Sequence, residues 1–480
     1  MSDDMQYSQF IAGEFRQGAS ATRFTVINPA TGQPLGDYAH ATRADVDEAV
    51  AAAAEAFRTW RKTSALERSA LLRRVATLMR ERGQAMAEQI ARELGKPYGE
   101  AQKEVVTAAE MFEWASEEAR RIYGRTIPAR SEGITQTVVW EPVGPVAAFA
   151  GWNAPAITPS RKISGALAAG CTIVIKPSEE TAGVALLIAR VVQDAGIPDG
   201  VVNLVFGDPA EIADMLCAAP QIAMVTFTGA TAIGKIIGAK AAQTMKRATL
   251  ELGGHAPVVV CDDVDVDRVV RMAVATKYRN AGQVCTSPTR FLVQAPIYAA
   301  FCEKFVKAAE AVVVGDPFDA ATQMGPLKNQ RRLDAIDRLV QDARERGLTV
   351  ATGGERIGRE GFFYRPTVIL QPTLDSDVAS IEPFGPIALI SPFEQLDDAI
   401  AEANRLPFGL AAYAYTNHLQ RAHRLANEID SGVVCVNEWQ ASLPETPFGG
   451  HKDSGLGSEG GIEGVQEFLR IKCVRQGAAS

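Results

Sequence analysis

The sequence predicts an α/β protein made of two doubly wound βαβ domains with a small β element outside both, and three observations carry that prediction. From about residue 145 onward, short apolar runs rich in β-branched residues alternate with segments of helical periodicity, as parallel strands joined by crossover helices do. A second series of the same kind begins after a break near 250–257. Two further strand-like runs, 135–140 and 471–474, stand apart from both series.

Taken in order, the first third reads as helix. Ser64-Ala-Leu-Glu67 has the form of a capping box, and Leu71, Val75 and Leu78 follow it at helical spacing. The first series has strand candidates at 146–150, 172–175, 202–206 and 224–227, with helical patterns at 184–195 and 211–217 between them. The second has 258–261, 290–293, 387–390, 411–415 and 433–436. The expected division is 1–123 with 142–253, then 254–446, with 124–141 and 467–480 as the outlying strands. No internal repeat, low-complexity tract or long linker interrupts this plan.

The 480 residues are 47 % apolar and 22 % charged, ample for large cores, and the formal net charge is −8. An acidic chain is a poor partner for nucleic acid or an anionic membrane surface. No apolar stretch approaches the ~20 residues that span a bilayer. Met1-Ser2-Asp3-Asp4 has neither the basic start nor the apolar core of a secretory signal. Seven cysteines, an odd number without a C-x-x-C pair, suit free thiols in a reducing, cytoplasmic compartment. The five histidines show no ligand spacing, so no metal site is expected.

Two glycine motifs suggest nucleotides, and both are imperfect. Gly455-Leu-Gly457-Ser-Glu-Gly460 satisfies G-x-G-x-x-G but has only 20 residues after it, too few for a βαβ unit. Gly229-Ala-Thr-Ala-Ile-Gly234-Lys235 is one residue from a P-loop, yet Ile236 stands where a hydroxyl would hold Mg²⁺. A P-loop-like nucleotide-binding protein is therefore a distant alternative. What survives is a glycine turn and helix N-terminus able to hold a pyrophosphate without metal.

Cys285 is the cysteine with polar, turn-prone surroundings, Arg279-Asn-Ala-Gly-Gln-Val-Cys-Thr-Ser-Pro-Thr289, whereas Cys171, Cys261 and Cys435 sit in apolar runs and Cys302 fits a helix. Either a nucleophile or an inert buried thiol is compatible with that. Glu251, embedded in Leu-Glu-Leu-Gly-Gly-His-Ala-Pro, is either salt-bridged or a base of raised pKa. Asn153 in Gly-Trp-Asn-Ala-Pro alone would be a turn residue.

Leu250-Glu-Leu-Gly-Gly254, Asn280-Ala-Gly-Gln-Val-Cys285, Glu382-Pro-Phe-Gly-Pro386 and Pro447-Phe-Gly-Gly450 with Lys452-Asp-Ser-Gly455 resemble the signatures of the aldehyde dehydrogenase superfamily. Trp152-Asn153, Lys176-Pro-Ser-Glu179 and Phe227-Thr-Gly229 fall between them in the expected order. Gly-Gly-His-Ala-Pro and Cys-Thr-Ser-Pro-Thr-Arg resemble the succinate- and 2-oxoglutarate-semialdehyde branch.

The resemblance implies an aldehyde dehydrogenase-like fold with a cofactor-binding domain (1–123 and 142–253), a catalytic domain (254–446) and oligomerisation strands (124–141 and 467–480), assembled as a homodimer or homotetramer. It implies oxidation of a small-molecule aldehyde with NAD, NADP being possible. Cys285 is then the nucleophile, Asn153 and the Cys285 N–H the oxyanion donors, and Glu251 the base that hydrolyses the thioester, so that coenzyme A is not the acceptor. Lys162 and Glu459 match a proton relay. Trp152, Lys176, Ser178, Glu179, Gly207, Gly229, Ala230, Leu252, Glu382 and Phe384 match cofactor-binding positions. Ala230 replaces a common Ser, and Gly151 and Ala154 flank Trp-Asn where Pro and Phe are usual.

For the substrate, Asn437 and Trp439 match a loop at the tunnel entrance and Trp114 a second tunnel segment. The loop 437–445 holds Glu438 and Glu445 but no Lys or Arg. The expectation is an uncharged aromatic or medium-chain aldehyde. A dicarboxylic semialdehyde is the alternative, should a cation such as Arg121 or Arg290 reach the tunnel.

Overall fold

The computed structural model, which describes residues 8–477, contains two large sheets. The first has eight strands in the order Glu14–Arg16, Gln9–Ile11, Val202–Leu204, Ile173–Lys176, Val146–Phe149, Met224–Thr228, Arg247–Glu251 and Gly455–Leu456. Its five central strands are parallel. Three are four or more residues of continuous buried side chain, as sheets covered on both faces require. The second sheet has seven strands, Thr349–Thr352, Thr367–Leu370, Ile387–Phe393, Pro288–Gln294, Ala256–Val260, Ala411–Tyr415 and Val433–Val436, parallel except at the first. A three-stranded sheet of Leu469–Gln476, Thr135–Pro142 and Arg125–Ile127 lies outside both.

The break between the sheets falls within the expected 250–257, since strand Arg247–Glu251 ends the first and Ala256–Val260 starts the second. The first third needs correcting. Four strands between Gln9 and Ala39 precede its helices, Arg43–Trp60, Ala65–Glu81, Gly83–Leu94 and Tyr98–Glu118. Ser64 does cap its helix by accepting from the Glu67 N–H, but the reciprocal capping box belongs to Thr42 and Asp45. Met1–Asp4, where a signal was sought, and residues 478–480 of the tail lie outside the described residues. Among those described, no helix is long and apolar enough to cross a membrane.

Two of the helices matter for the site, and one of them is buried on nearly every side. Ile157–Ala169 has a single partly exposed residue, its first, so its two cations, Arg161 and Lys162, must find partners inside. Tyr98–Glu118 packs across it and buries Glu104. Both helices lead to the gap between the sheets.

Backbone closeness at that gap is tested by Gly282. Its φ is +71°, and a Cβ there would lie 2.2 Å from the Gly385 carbonyl oxygen. Gly32 has almost the same φ, +72°, with nothing within 4 Å. Gly32→Ala therefore carries only the left-handed cost of about 1–2 kcal/mol, and Gly282→Ala must also displace backbone. Thermal unfolding should show a clearly larger drop in Tm for Gly282→Ala; equal drops would contradict the close approach.

Candidate active site

Cys285 sits on the loop between helix Val266–Tyr278 and strand Pro288–Gln294. Asn280, Ala281 and Gly282 are successively left-handed (φ 48°, 53° and 71°), which reverses the chain and aims the loop at the first sheet. A left-handed non-glycine residue costs about 1–2 kcal/mol, so the turn is held by bonds. Gln283 Nε2 donates to the Asn280 carbonyl at 3.0 Å, and the Lys328 N–H donates to Gln283 Oε1 at 2.9 Å. Beyond the cysteine, Tyr413 Oη donates to the Thr286 carbonyl at 2.8 Å and Lys277 Nζ to Ser287 Oγ at 3.1 Å.

Glu251, the last residue of its strand, reaches the same point from the opposite sheet and faces the Cys285 thiol in the same cavity wall. Burial raises its pKa to about 7, helped by the like charge of Glu459, while the neighbouring thiol opposes the rise. Its Oε1 is buried without a protein partner, which leaves it free for a water. The thiol is itself pushed well above its usual value by burial and then by Glu251. At rest the sulfur is protonated, and its proton has one acceptor at hand. Such a pair can transfer that proton as an electrophile arrives, then use the same carboxylate on water.

Asn153 lies in the turn between strand Val146–Phe149 and helix Ile157–Ala169 and lines the cavity, about 2320 Å³, that holds Cys285 and Glu251. A Cβ at Gly151 would come to 3.3 Å from Asn153 Oδ1, so glycine there leaves the amide room. Behind this site, Lys162 Nζ is hydrogen-bonded to Glu459 and, at 2.9 Å, to Thr226 Oγ1. Burial alone would raise Glu459, but Lys162 and Arg161 outweigh it and hold the carboxylate below its usual range. A void of about 20 Å³, room for roughly one water, adjoins Lys162, Thr226 and Glu459.

The expected cofactor positions divide. Trp152, Gly229, Ala230, Leu252, Glu382 and Phe384 line the large cavity. The Phe384 and Trp152 rings meet edge-on at 5.4 Å, and Arg332 Nη2 donates to the Phe384 carbonyl at 3.1 Å. Burial raises Glu382 to about 8, against a hydrogen bond from the Gly254 backbone. Lys176, Ser178, Glu179 and Gly207 are not in the walls of this cavity. They cluster at the ends of strands Ile173–Lys176 and Val202–Leu204, with Lys176 ion-paired to Glu179 and Ser178 Oγ accepting from the Glu180 N–H at 3.2 Å.

These surroundings fit a dinucleotide. Helix Thr231–Gln243 starts at the cavity wall with no side-chain cap on its first N–H groups, an open anion site. A Cβ at Gly253 would sit 2.4 Å from Glu382 Oε2 and would push that carboxylate out of its place in the cavity wall. The P-loop alternative fails here, because Lys235 turns outward to Asp453 and Ile236 is exposed. Gly455-Leu456 is an edge strand that starts no long helix. Among the described residues, no three His, Cys, Asp or Glu side chains gather as metal ligands.

The substrate-side expectations need more correction. Trp439 lines the cavity but is packed on Tyr413 and Tyr415, at 5.0 and 4.8 Å between ring centroids, as part of the second core. Asn437 does not line it; left-handed at φ 56°, its side chain closes the end of a strand through both backbone groups of Thr416. Trp114 adjoins the small void beside Glu459 instead of the cavity. Glu438 does line the cavity, but one of its oxygens accepts from the Trp439 and Gln440 N–H groups. Arg121 pairs with Glu118 at a helix end, and Arg290 with His255 and Glu402 in the second core; neither lines the cavity.

Sequence reasoning missed Arg161, Arg279 and Ser442, all in the cavity wall. Arg161 is 8 % exposed, lies over the Phe448 ring at 4.9 Å, donates to Ser442 Oγ at 2.7 Å, and keeps its Nε buried without a partner. The Arg279 side chain has no hydrogen bond or ion pair among the described residues, although its charge acts on the buried Glu100 carboxylate. The available signal was the Arg161-Lys162 pair inside a helix with no polar face.

A model of the aldehyde dehydrogenase family matches residues 15–474. The chain is 44 % identical over 463 residues to 4-(hydroxymethyl)benzenesulfonate dehydrogenase of Comamonas testosteroni, covering 96 % of each chain. It is 41 % identical over 451 residues to a probable NADP⁺ succinate-semialdehyde dehydrogenase of Sinorhizobium fredii, covering 94 % of this chain and 92 % of the relative. Among solved structures, betaine aldehyde dehydrogenase from Staphylococcus aureus in complex with NAD⁺ superposes with a TM-score of 0.96 at 32 % identity, covering 98 % of this chain and 95 % of that one.

The thiol–carboxylate pair has a measurable signature. Alkylation of Cys285 by iodoacetamide, followed by peptide mass so that exposed Cys473 is counted separately, should accelerate as pH rises through about 7, where Glu251 ionises. In Glu251→Gln that limb should vanish, leaving only the rise from thiol ionisation at higher pH. An unchanged profile in the variant would contradict the pairing.

Proposed function

The chain belongs to the aldehyde dehydrogenase family, and from that premise we propose that it oxidises an aldehyde carrying an anionic group remote from its carbonyl, releasing the free acid by hydrolysis of a thioester on Cys285. It is a nicotinamide-dependent aldehyde dehydrogenase whose cofactor is NAD, with NADP serving some relatives. The observation that carries the substrate assignment is the presence of Arg161 and Arg279 among the five arginines in the wall of the cavity that holds the nucleophile.

The Arg161 guanidinium has only a long ion pair to Glu459, at 3.7 Å, and one neutral acceptor, Ser442 Oγ. A carboxylate or sulfonate would give it a closer anion, with Ser442 as a further donor. The expectation of an uncharged aldehyde rested on one loop that lacks cations. The cations come from elsewhere, a buried helix and the nucleophile loop, and Glu438 is occupied by its own backbone. The relatives agree in chemistry: one is named for a benzenesulfonate and the other for a semialdehyde of succinate, and both molecules carry an anion. Aromatic and aliphatic frames both suit this arrangement.

In the reaction, the Cys285 thiol gives its proton to Glu251 as sulfur bonds to the carbonyl carbon. The Asn153 amide and the Cys285 N–H steady the oxyanion, one such donor being worth about 3 kcal/mol. When bound, nicotinamide would supply the hydride acceptor. Trp152, Glu382 and Phe384 would hold its ribose end, Lys176 and Glu179 the adenosine end, and the uncapped helix start at Thr231 the pyrophosphate. Glu251 then sheds its proton towards Lys162 and Glu459 and activates water against the thioester. The first sheet serves the cofactor and the second the nucleophile.

We further propose a homodimer or homotetramer built through the outlying sheet. Its edge strand Leu469–Gln476 shows Ile471 and Val474 to solvent, the kind of open edge another chain pairs with. Seven unpaired cysteines support a reducing, cytoplasmic setting.

The substrate proposal is tested with 4-carboxybenzaldehyde, 4-methylbenzaldehyde and succinate semialdehyde. Wild type should favour the two anionic aldehydes in kcat/KM. Arg279→Ala should raise KM for those two by about 10-fold or more, the worth of a charge-assisted hydrogen bond, and leave 4-methylbenzaldehyde nearly unchanged. A wild-type preference for 4-methylbenzaldehyde would overturn the assignment.

A further inference from the structure

One buried ion pair near the site has no part in the chemistry above. Lys96, just before helix Tyr98–Glu118, pairs with Glu104 on that helix, and their side chains are 9 % and 3 % exposed. A buried pair earns little stability by itself, because desolvation offsets the attraction. Its remaining bonds all go to one place. Lys96 Nζ donates to the backbone carbonyl of Asn153 at 3.2 Å, and Glu104 Oε1 accepts from the Ala156 N–H at 2.8 Å. The pair thus grips the Asn153–Ala156 turn at both ends.

The same Asn153 carbonyl has a second donor, Asn280 Nδ2 at 3.1 Å. Asn280 opens the left-handed turn that leads to Cys285, and its own N–H donates to Glu100 Oε2, one helical turn from Glu104, at 3.1 Å. Helix Tyr98–Glu118 is therefore bonded to both the Asn153 turn and the Cys285 loop. The two are joined to each other through a single carbonyl oxygen.

We infer that Lys96, Glu104 and Asn280 are positioning residues that set the distance between the oxyanion donor Asn153 and the nucleophile Cys285. The inference rests on the assignment of Asn153 as oxyanion donor. Lys96 and Asn280 both donate to the backbone carbonyl of Asn153, and Glu104 holds the Ala156 N–H at the other end of the same turn. Misplacing such a donor by about 1 Å can cost about 100-fold in rate. Positioning acts where charge develops on the carbonyl oxygen, so it should be felt in kcat for the aldehyde and not in a thiol reaction that makes no oxyanion.

Two variants separate these readouts. The double variant Lys96→Met with Glu104→Gln is charge-balanced, so no lone ion is left buried. Asn280→Gly suits the left-handed backbone, keeps the N–H to Glu100 and removes only the side-chain amide. Each is compared with wild type and Asn153→Ala in kcat, in KM for aldehyde and NAD, in Tm, and in the iodoacetamide alkylation rate of Cys285. The expected result is a kcat lowered about 10- to 100-fold, with alkylation within twofold of wild type and KM for NAD unchanged. Full kcat in Asn280→Gly, or in the folded double variant, overturns the inference; so does a fall in alkylation parallel to that in kcat, which marks a general loss of structure. If the double variant does not fold, Asn280→Gly decides. If Asn153→Ala keeps full kcat, it is the oxyanion assignment that fails.

Discussion

Everything at this site follows from burying a carboxylate against a thiol where two parallel sheets meet. Glu251 arrives from the first sheet and Cys285 from the second, and neither can ionise freely. Burial holds a proton on each of them, and the Glu251 charge raises the thiol's hold on its own proton further. This explains why the surrounding cations sit one step back. Lys162 and Arg161 compensate Glu459; were they directly on Glu251, they would lower its pKa and weaken it as a base.

The price of that arrangement is backbone held in unusual conformations. Cys285 can face Glu251 only because the chain reverses through three left-handed residues, two of them not glycine. The bonds that fix the reversal come from Gln283, Lys328, Tyr413 and Lys277, spread over the second sheet and its helices. Rigidity around the nucleophile is distributed, whereas the electrophile's oxygen is governed by one turn at Asn153.

The doubly wound plan was legible because buried parallel strands are written as unbroken apolar runs. Strands 411–415 and 433–436 were located to the residue, and the break at 250–257 fell between the two sheets. Strands that lack such runs were not. Glu14–Arg16 is partly exposed and polar, and Arg247–Glu251 starts with exposed residues because it lies near the sheet's edge. At the site, long motifs resembling a family picked out Cys285, Glu251, Asn153, Trp152, Gly229, Ala230, Leu252, Glu382 and Phe384, which line one cavity, and Lys176, Ser178, Glu179 and Gly207, which lie outside it. Single-residue reasoning about the substrate loop did less well. Asn437 was expected at the tunnel entrance, but its side chain closes the end of a strand, and Trp439 lines the cavity with its ring packed on Tyr413 and Tyr415. Arg161 was overlooked because a cation in an apolar helix declares its partners only in three dimensions.

The central claim is that one carboxylate, Glu251, serves both halves of the reaction and is indispensable to the second. The direct measurement is a single turnover of Glu251→Gln with NAD and 4-carboxybenzaldehyde, with the quenched protein mapped by mass spectrometry. The account predicts a slowed burst of NADH of no more than one per site, with the acyl group trapped on Cys285 and steady-state turnover nearly abolished. Steady-state turnover at the wild-type rate, or an acyl group found on another residue, would contradict it.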